Sequence, residues 1–245
     1  NRRGDLLDGR REIVDVLVRS DFPDLSSGAL LSGQSVPDEN PHTNFLQMDF
    51  GICRDEAGRY LPQLIEVQGF PSLYFFQHLL AQAYRRHYDI PAGFNHLFDG
   101  LDETAYLVLL RTIIVGDWDP ENVILLEVEP RQQATLIDFI VCRDLLGVQY
   151  CCVSELRVEG RSVYYERDGR RIPVRRIFNR VIFDELIKRD DLPREFYFIN
   201  GYDVEWVGHP NWFFRISKHT LPLLESRYVP PSFFLHELNG RLPDD

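Results

Sequence analysis

Asp49, Glu66 and Gln68 carry the first chemical signal in the chain. They fall on two strand-like runs, Phe45 to Ile52 and Tyr60 to Gln68, separated by the polar stretch Arg54-Asp55-Glu56-Ala57-Gly58-Arg59. Such a stretch suits a hairpin connection. A turn centred between Ala57 and Gly58 sets Asp49 directly opposite Glu66. Opposed carboxylates repel across a strand pair, so the arrangement calls for a positive charge between them or for full solvation. Gln68, two residues beyond Glu66, shares its face and adds a carbonyl oxygen. Mg2+ takes such a set, with one or two carboxylates and the remaining positions filled by water and substrate phosphates. The same pattern also suits solvent-facing residues of a half-exposed hairpin.

Two further positions have chemical potential. Pro71 and Ser72 open an aromatic-rich helix over Leu73 to Tyr88, with Pro71 at a first helical position that tolerates it. The unpaired N–H groups there, with the Ser72 hydroxyl, suit a carboxylate or phosphate, although Ser72 also reads as an ordinary cap-region hydroxyl. Arg175, Arg176 and Arg180 flank Ile177-Phe178-Asn179 at the end of a predicted strand, where α/β proteins place ligand contacts. Surface arginines paired with the many acids of this chain give the same pattern. His209 reads as a locally packed loop residue and Cys151-Cys152 as buried strand packing.

The elements that must position these residues point to an α/β fold. Arg10 to Arg19 reads as a short amphipathic helix, Ser32 to Asn44 as a loop and Asp102 to Val115 as a further helix. Asn122 to Val128 and Val148 to Val153 are apolar on both faces, as strands covered by helices on both sides must be. Arg131 to Leu146, closed by Gly147, is the helix between them. The result is a right-handed parallel β-α-β unit, joined by a hairpin turning at Asp168-Gly169 and a strand running from Ile172 to Phe178.

Composition narrows the function classes. Lys and Arg number 27 against 38 Asp and Glu, a net charge of -11, the wrong sign for neutralising a nucleic-acid backbone. No apolar run approaches the roughly 18 residues of a membrane span. Four cysteines, Cys53, Cys142, Cys151 and Cys152, show neither paired metal spacing nor a disulfide framework. The expectation is a soluble, cytoplasmic protein with neither nucleic-acid nor membrane partner. Walker, dinucleotide, G-x-S-x-G and H-E-x-x-H motifs are absent from the sequence.

The run Gln47-Met48-Asp49-Phe50, followed by Gln63-Leu64-Ile65-Glu66-Val67-Gln68-Gly69-Phe70-Pro71-Ser72, resembles segments of the glutathionylspermidine synthetase group within the ATP-grasp ligases, which includes circularly permuted members. The likeness continues in order through Asn122 to Val153, Val174 to Arg180 and the stretch Asn211 to Leu224, which contains Ser217-Lys218, and covers most of residues 45 to 236. It implies that Asp49, Glu66 and Gln68 are magnesium ligands beside ATP phosphates. Two positions depart from the group: Gln68 stands where it has asparagine, and Gln47 where it has arginine.

The resemblance implies a pre-ATP-grasp, substrate-binding α/β domain over residues 45–240, preceded by a helix and loop over 1–44. An ATP-grasp module would begin at 241–245, so most of the nucleotide site is expected outside this chain, which reads as a fragment or a stand-alone relic. The implied reaction is phosphorylation of a small-molecule carboxylate by MgATP, then attack by an amine. Arg180 is the candidate catalytic residue and Ser72 a candidate substrate contact. The alternative is an α/β module that binds a small acidic or peptide-like ligand, or a protein partner, without chemistry.

Overall fold

The structure is a computed structural model that describes residues 2–238; residues 241–245, the expected start of a further module, lie outside the described residues. In chain order the helices are α1 (Arg2–Leu17), α2 (Phe22–Leu25), α3 (Tyr74–His87), α4 (Glu103–Ile114), α5 (Leu136–Leu146), α6 (Phe183–Ile187) and α7 (Pro210–Arg215). The strands are β1 (Gln47–Arg54), β2 (Tyr60–Gln68), β3 (Val123–Glu127), β4 (Gln149–Cys152), β5 (Arg157–Glu159), β6 (Ser162–Arg167), β7 (Arg170–Val174), β8 (Arg176–Asn179) and β9 (Glu205–Val207). They form two compact units, one from Asn1–Ser35, Glu39–Pro71 and Asn211–Asp245, the other from Val36–Asp38 and Ser72–Pro210.

The first unit is organised around the β1–β2 hairpin. Its core joins Ile13 and Leu17 of α1, Phe22 of α2, Leu64 and Val67 of β2, and Trp212 and Ile216. Helix α1 begins earlier than the sequence predicts. It runs through Gly9, where an added Cβ would lie 3.0 Å from the Tyr228 ring, so the missing side chain admits that ring. The loop from Ser32 to Asn44 is pinned by Glu39, whose two carboxylate oxygens accept from Arg215 at 2.6 and 3.1 Å, while Asn211 donates at 2.8 Å.

The second unit holds the parallel sheet expected from the apolar runs. Strand order is β4-β3-β8-β9, every neighbouring pair parallel, and the central strand β3 is buried along its whole length. Gly147 ends α5 in the left-handed conformation at φ 77, as the sequence requires. The helix itself starts at Leu136 rather than Arg131. Pro130–Gln132 forms a 3-10 turn and Gln133 is extended at ψ 139, which interrupts any continuous α-helix from Arg131.

The Asp168-Gly169 turn is as expected, with both residues at positive φ, 52 and 71. The strand read as Ile172 to Phe178 is two strands. Residues up to Val174 pair with β6, and a separate antiparallel sheet β5-β6-β7 results, whereas Arg176–Asn179 joins the parallel sheet as β8. Strand β5 has too short and polar a sequence to be read in advance. Among the described residues no helix is long and apolar enough to cross a membrane. Cys53 is exposed, and Cys142, Cys151 and Cys152 are buried; all four are free.

Candidate functional site

The hairpin places Asp49 opposite Glu66 and Gln47 opposite Gln68. The expected facing holds, but its cause differs from the symmetric turn. At the turn end Arg54 pairs with Tyr60 and Gly51 with Gln63, a register centred on Ala57, and a bulge beyond Phe50 then restores the Asp49–Glu66 pairing. Ile65 is the extra residue: Pro62 and Leu64 point inward in alternation, and the next inward residue is Val67, three positions on. An odd spacing between core residues needs one unpaired residue. Ile65 accordingly faces out, 59% exposed.

The bulge turns Glu66 and Gln68 to the same half-exposed face as Gln47 and Asp49. Gln47 Nε2 donates to Asp49 Oδ1 at 3.0 Å, and Gln68 Nε2 donates to Glu66 Oε1. A positive charge stands nearby, as opposed carboxylates require: Lys218 Nζ lies 3.8 Å from Glu66 Oε2. Gly69 brings it there. Its N–H donates to Ile216 O at 2.9 Å, and a Cβ at this position would sit 2.6 Å from Trp212 O, so only glycine lets the two segments meet. Among the described residues no group of three or more His, Cys, Asp or Glu could hold a metal ion. A cation here would rest on two carboxylates, the glutamine oxygens and water, a donor set that fits Mg2+ and its preference for few protein ligands.

Ser72 and Arg180 belong to the second unit. Helix α3 begins at Tyr74, not Pro71, because Leu73 adopts φ 72, outside the helical region. The first N–H groups of α3 are already used. Asp138 Oδ1, projecting from α5, accepts from Phe75 at 2.9 Å and Phe76 at 2.7 Å. The anion held at this helix terminus is the protein's own carboxylate, and the expected ligand contact through those N–H groups is corrected on that ground.

Arg180 stands at the carboxyl end of β8, beside the point where the sheet's topology reverses. The connection from β3 leads to β4 on one side of the sheet and that from β8 leads to β9 on the other, and open α/β sheets bind ligands at the carboxyl ends of strands where the direction reverses in this way. Glu127 ends β3. Arg180 follows β8, its N–H donating to Leu126 O at 2.9 Å, and Asn179 beside it is buried, donating to Gly208 O and accepting from Val181 N. Burial works against the Arg180 charge, and Glu127, Tyr74 and Asp138 act to keep it. Burial pushes the Glu127 carboxyl up to about 7, opposed by the Val128 N–H and Arg180. Burial likewise raises Asp138, against the α3 N–H groups and Arg180, while the half-buried Tyr106 is pushed up to about 12 by its partial burial and by Asp138.

Glu127 and Asp138 were not singled out from the sequence, yet each left a trace. Glu127 ends the otherwise apolar run Val-Ile-Leu-Leu, and Asp138 interrupts the apolar start of α5. A lone acid in such a setting is buried and paired, or working. His209 packs locally as expected, with Nε2 3.0 Å from Pro37 O and its ring edge-on to Trp206.

No family model matches the sequence, and no curated protein matches it. A solved structure does match in fold: a glutathione synthetase-like effector from Globodera pallida in its apo form, with a TM-score of 0.56 and 10% identity. The likeness covers 91% of this chain and 56% of that one, so the chain spans little more than half its length. The mixed α/β architecture, with its parallel four-stranded sheet and antiparallel hairpin, is that of a glutathione synthetase-like fold.

Proposed function

We propose that this chain is the substrate-binding portion of an ATP-dependent carboxylate–amine ligase that forms an amide through an acyl phosphate. The observation that carries the proposal is the charged cluster at the end of β3 and β8, where a half-buried Arg180 stands with the buried Glu127 and Asp138 at the sheet's switch point. A substrate carboxylate arriving there meets a guanidinium partly withdrawn from water, and such a contact is stronger than one in bulk solvent. The glutathione synthetase-like fold supports the same reading. Asp49, Glu66 and Gln68 would hold Mg2+, which supplies charge neutralisation at ATP phosphates. Most nucleotide contacts would come from outside this chain.

One observation favours the alternative, a module that binds a small acidic or peptide-like ligand without chemistry. Lys218 supplies beside Glu66 the positive charge that a metal would otherwise bring. Hydroxylamine trapping on the full-length protein, with MgATP and pooled amino acids, short peptides and other small carboxylates, separates the two. The ligase gives a MgATP-dependent hydroxamate that Glu66→Gln lowers about 100-fold or more, with the fold intact. Calorimetric binding of those carboxylates with no hydroxamate and no ADP release points to the module and overturns the ligase.

A further inference from the structure

We propose that the cavity beside β4 in the second unit is a binding site for a small multivalent oxyanion. It does not depend on the ligase reading and uses none of that reading's residues. The cavity is about 290 Å3, at the lower edge of the roughly 300–1,000 Å3 of small-molecule sites. Arg131, Arg157 and Arg167 converge on it, with Tyr150, Tyr165 and the buried Cys151 among its other walls. In a chain of net charge -11, three guanidiniums around one concavity form a local reversal of sign.

The fold explains why the concavity exists. Strand β4 is the outer strand of the parallel sheet, and β6 belongs to the separate antiparallel sheet, so no strand fills the space beside β4. Tyr150 is stiffened by two guanidiniums near its ring, Arg131 at 5.8 Å and Arg143 at 5.7 Å from the centroid. Tyr165 is buried and fixed by its hydroxyl, which donates to Glu121 O at 2.9 Å. Two rings and one strand thus form fixed walls behind the charged ends, the composition of a ligand site.

The arginines of the cavity differ from their neighbours in how they are paired. Their nearest carboxylates are at 3.2 Å for Arg131 with Glu155, 3.7 Å for Arg157 with Glu195 and 3.5 Å for Arg167 with Asp168. Arg143, Arg161, Arg170, Arg171 and Arg176 each have a carboxylate oxygen within 2.8 Å. Long exposed pairs contribute little, and an oxyanion offering bidentate geometry displaces them readily. Arg157 is also anchored by the carbonyls of Ser154 and Leu156 at 3.0 and 3.1 Å, which orients its guanidinium without neutralising it.

Two acids line the same cavity against the three arginines. Glu155 is engaged, accepting from the Cys152 N–H at 2.6 Å as well as from Arg131, while Glu166 stands opposite Arg171 in the strand register, so the arginines outnumber the acids by one. Phosphate and carboxylate groups present the same planar or forked oxygens to arginine, so the site takes an anion of either kind with two or more charges.

Calorimetric titrations with inorganic pyrophosphate and with citrate, at constant ionic strength, test the site. The expected result is saturable one-site binding of at least one probe. It should weaken about tenfold or more in the triple variant Arg131→Gln/Arg157→Gln/Arg167→Gln and persist in Arg170→Gln/Arg171→Gln, whose arginines are tightly paired. The probe that binds more tightly assigns the site to phosphoryl or carboxylate ligands. Absence of saturable binding by both probes at millimolar concentration, or equal binding in the triple variant with an unchanged circular dichroism spectrum, overturns the proposal. Glu66→Gln should leave this binding unchanged even where it abolishes hydroxamate formation, so the two proposals fail separately.

Discussion

The two acidic sites of this molecule solve the same electrostatic problem in opposite ways. On the β1–β2 hairpin, Asp49 and Glu66 face each other on a half-exposed surface, where water screens their repulsion and an exposed lysine stands 3.8 Å from one of them. At the carboxyl ends of β3 and β8, Glu127 and Asp138 are buried, 9% and 2% exposed, and the half-buried Arg180 has its Nε withdrawn from water beside them. Screened charges are cheap to keep and easily exchanged for a cation or a ligand phosphate. Desolvated charges depend on one another, so the partners must be preassembled, and each becomes sensitive to what binds beside it.

The largest expected effect follows from that dependence. Replacing Arg180 by methionine removes the only cation acting on Glu127 and Asp138 in the interactions identified above. Losing one member of a buried ionic set costs about 3–5 kcal/mol, and urea unfolding of Arg180→Met should show it.

The next effect is a pH dependence. The folded Glu127 carboxyl titrates at about 7 against an ordinary 4.5, so between those values the folded state holds a proton that the unfolded state has released. Stability therefore falls as pH rises across that window. Glu127 contributes no loss below it and about 3 kcal/mol of loss above it. Urea unfolding from pH 4 to 8 should show that Glu127→Gln removes this part of the slope.

Asp138→Ala should cost about 2 kcal/mol, because the Phe75 and Phe76 N–H groups at the start of α3 lose their acceptor; thermal unfolding would measure it. At the hairpin the effect is smallest. Lys218→Met should change stability by less than about 1 kcal/mol, an exposed pair being weak, and chemical denaturation would check this. A loss as large as that of Arg180→Met would erase the distinction between the two sites.

How much of this was legible in the sequence follows from how local each cause is. The parallel pair β3 and β4 was readable, since four successive buried residues, Val123 to Leu126, and a left-handed stop at Gly147 are local signals. The Asp49–Glu66 facing was readable only in outcome. A turn centred on Ala57 and a bulge at Ile65 shift the register once each and restore the pairing. The inward spacing from Leu64 to Val67 would have exposed the bulge, but Ile65 is itself apolar and hides the break. The start of α3 was misplaced because Leu73 takes a left-handed conformation that its side chain disfavours. The Glu127–Asp138–Arg180 cluster was not readable as a unit: its members come from a strand, a helix and the end of another strand, and only the sheet order joins them.

Whether the end of β3 and β8 is a desolvated ionic site is decided most directly by carbon-13 NMR of the glutamate side-chain carboxyls across pH, with the Glu127 resonance assigned by its loss in Glu127→Gln. A midpoint of about 7 for Glu127 is the predicted result. A midpoint near 4.5, the value of a carboxyl in water, would mean that solvent reaches the strand ends, and would contradict the preassembled site at Arg180.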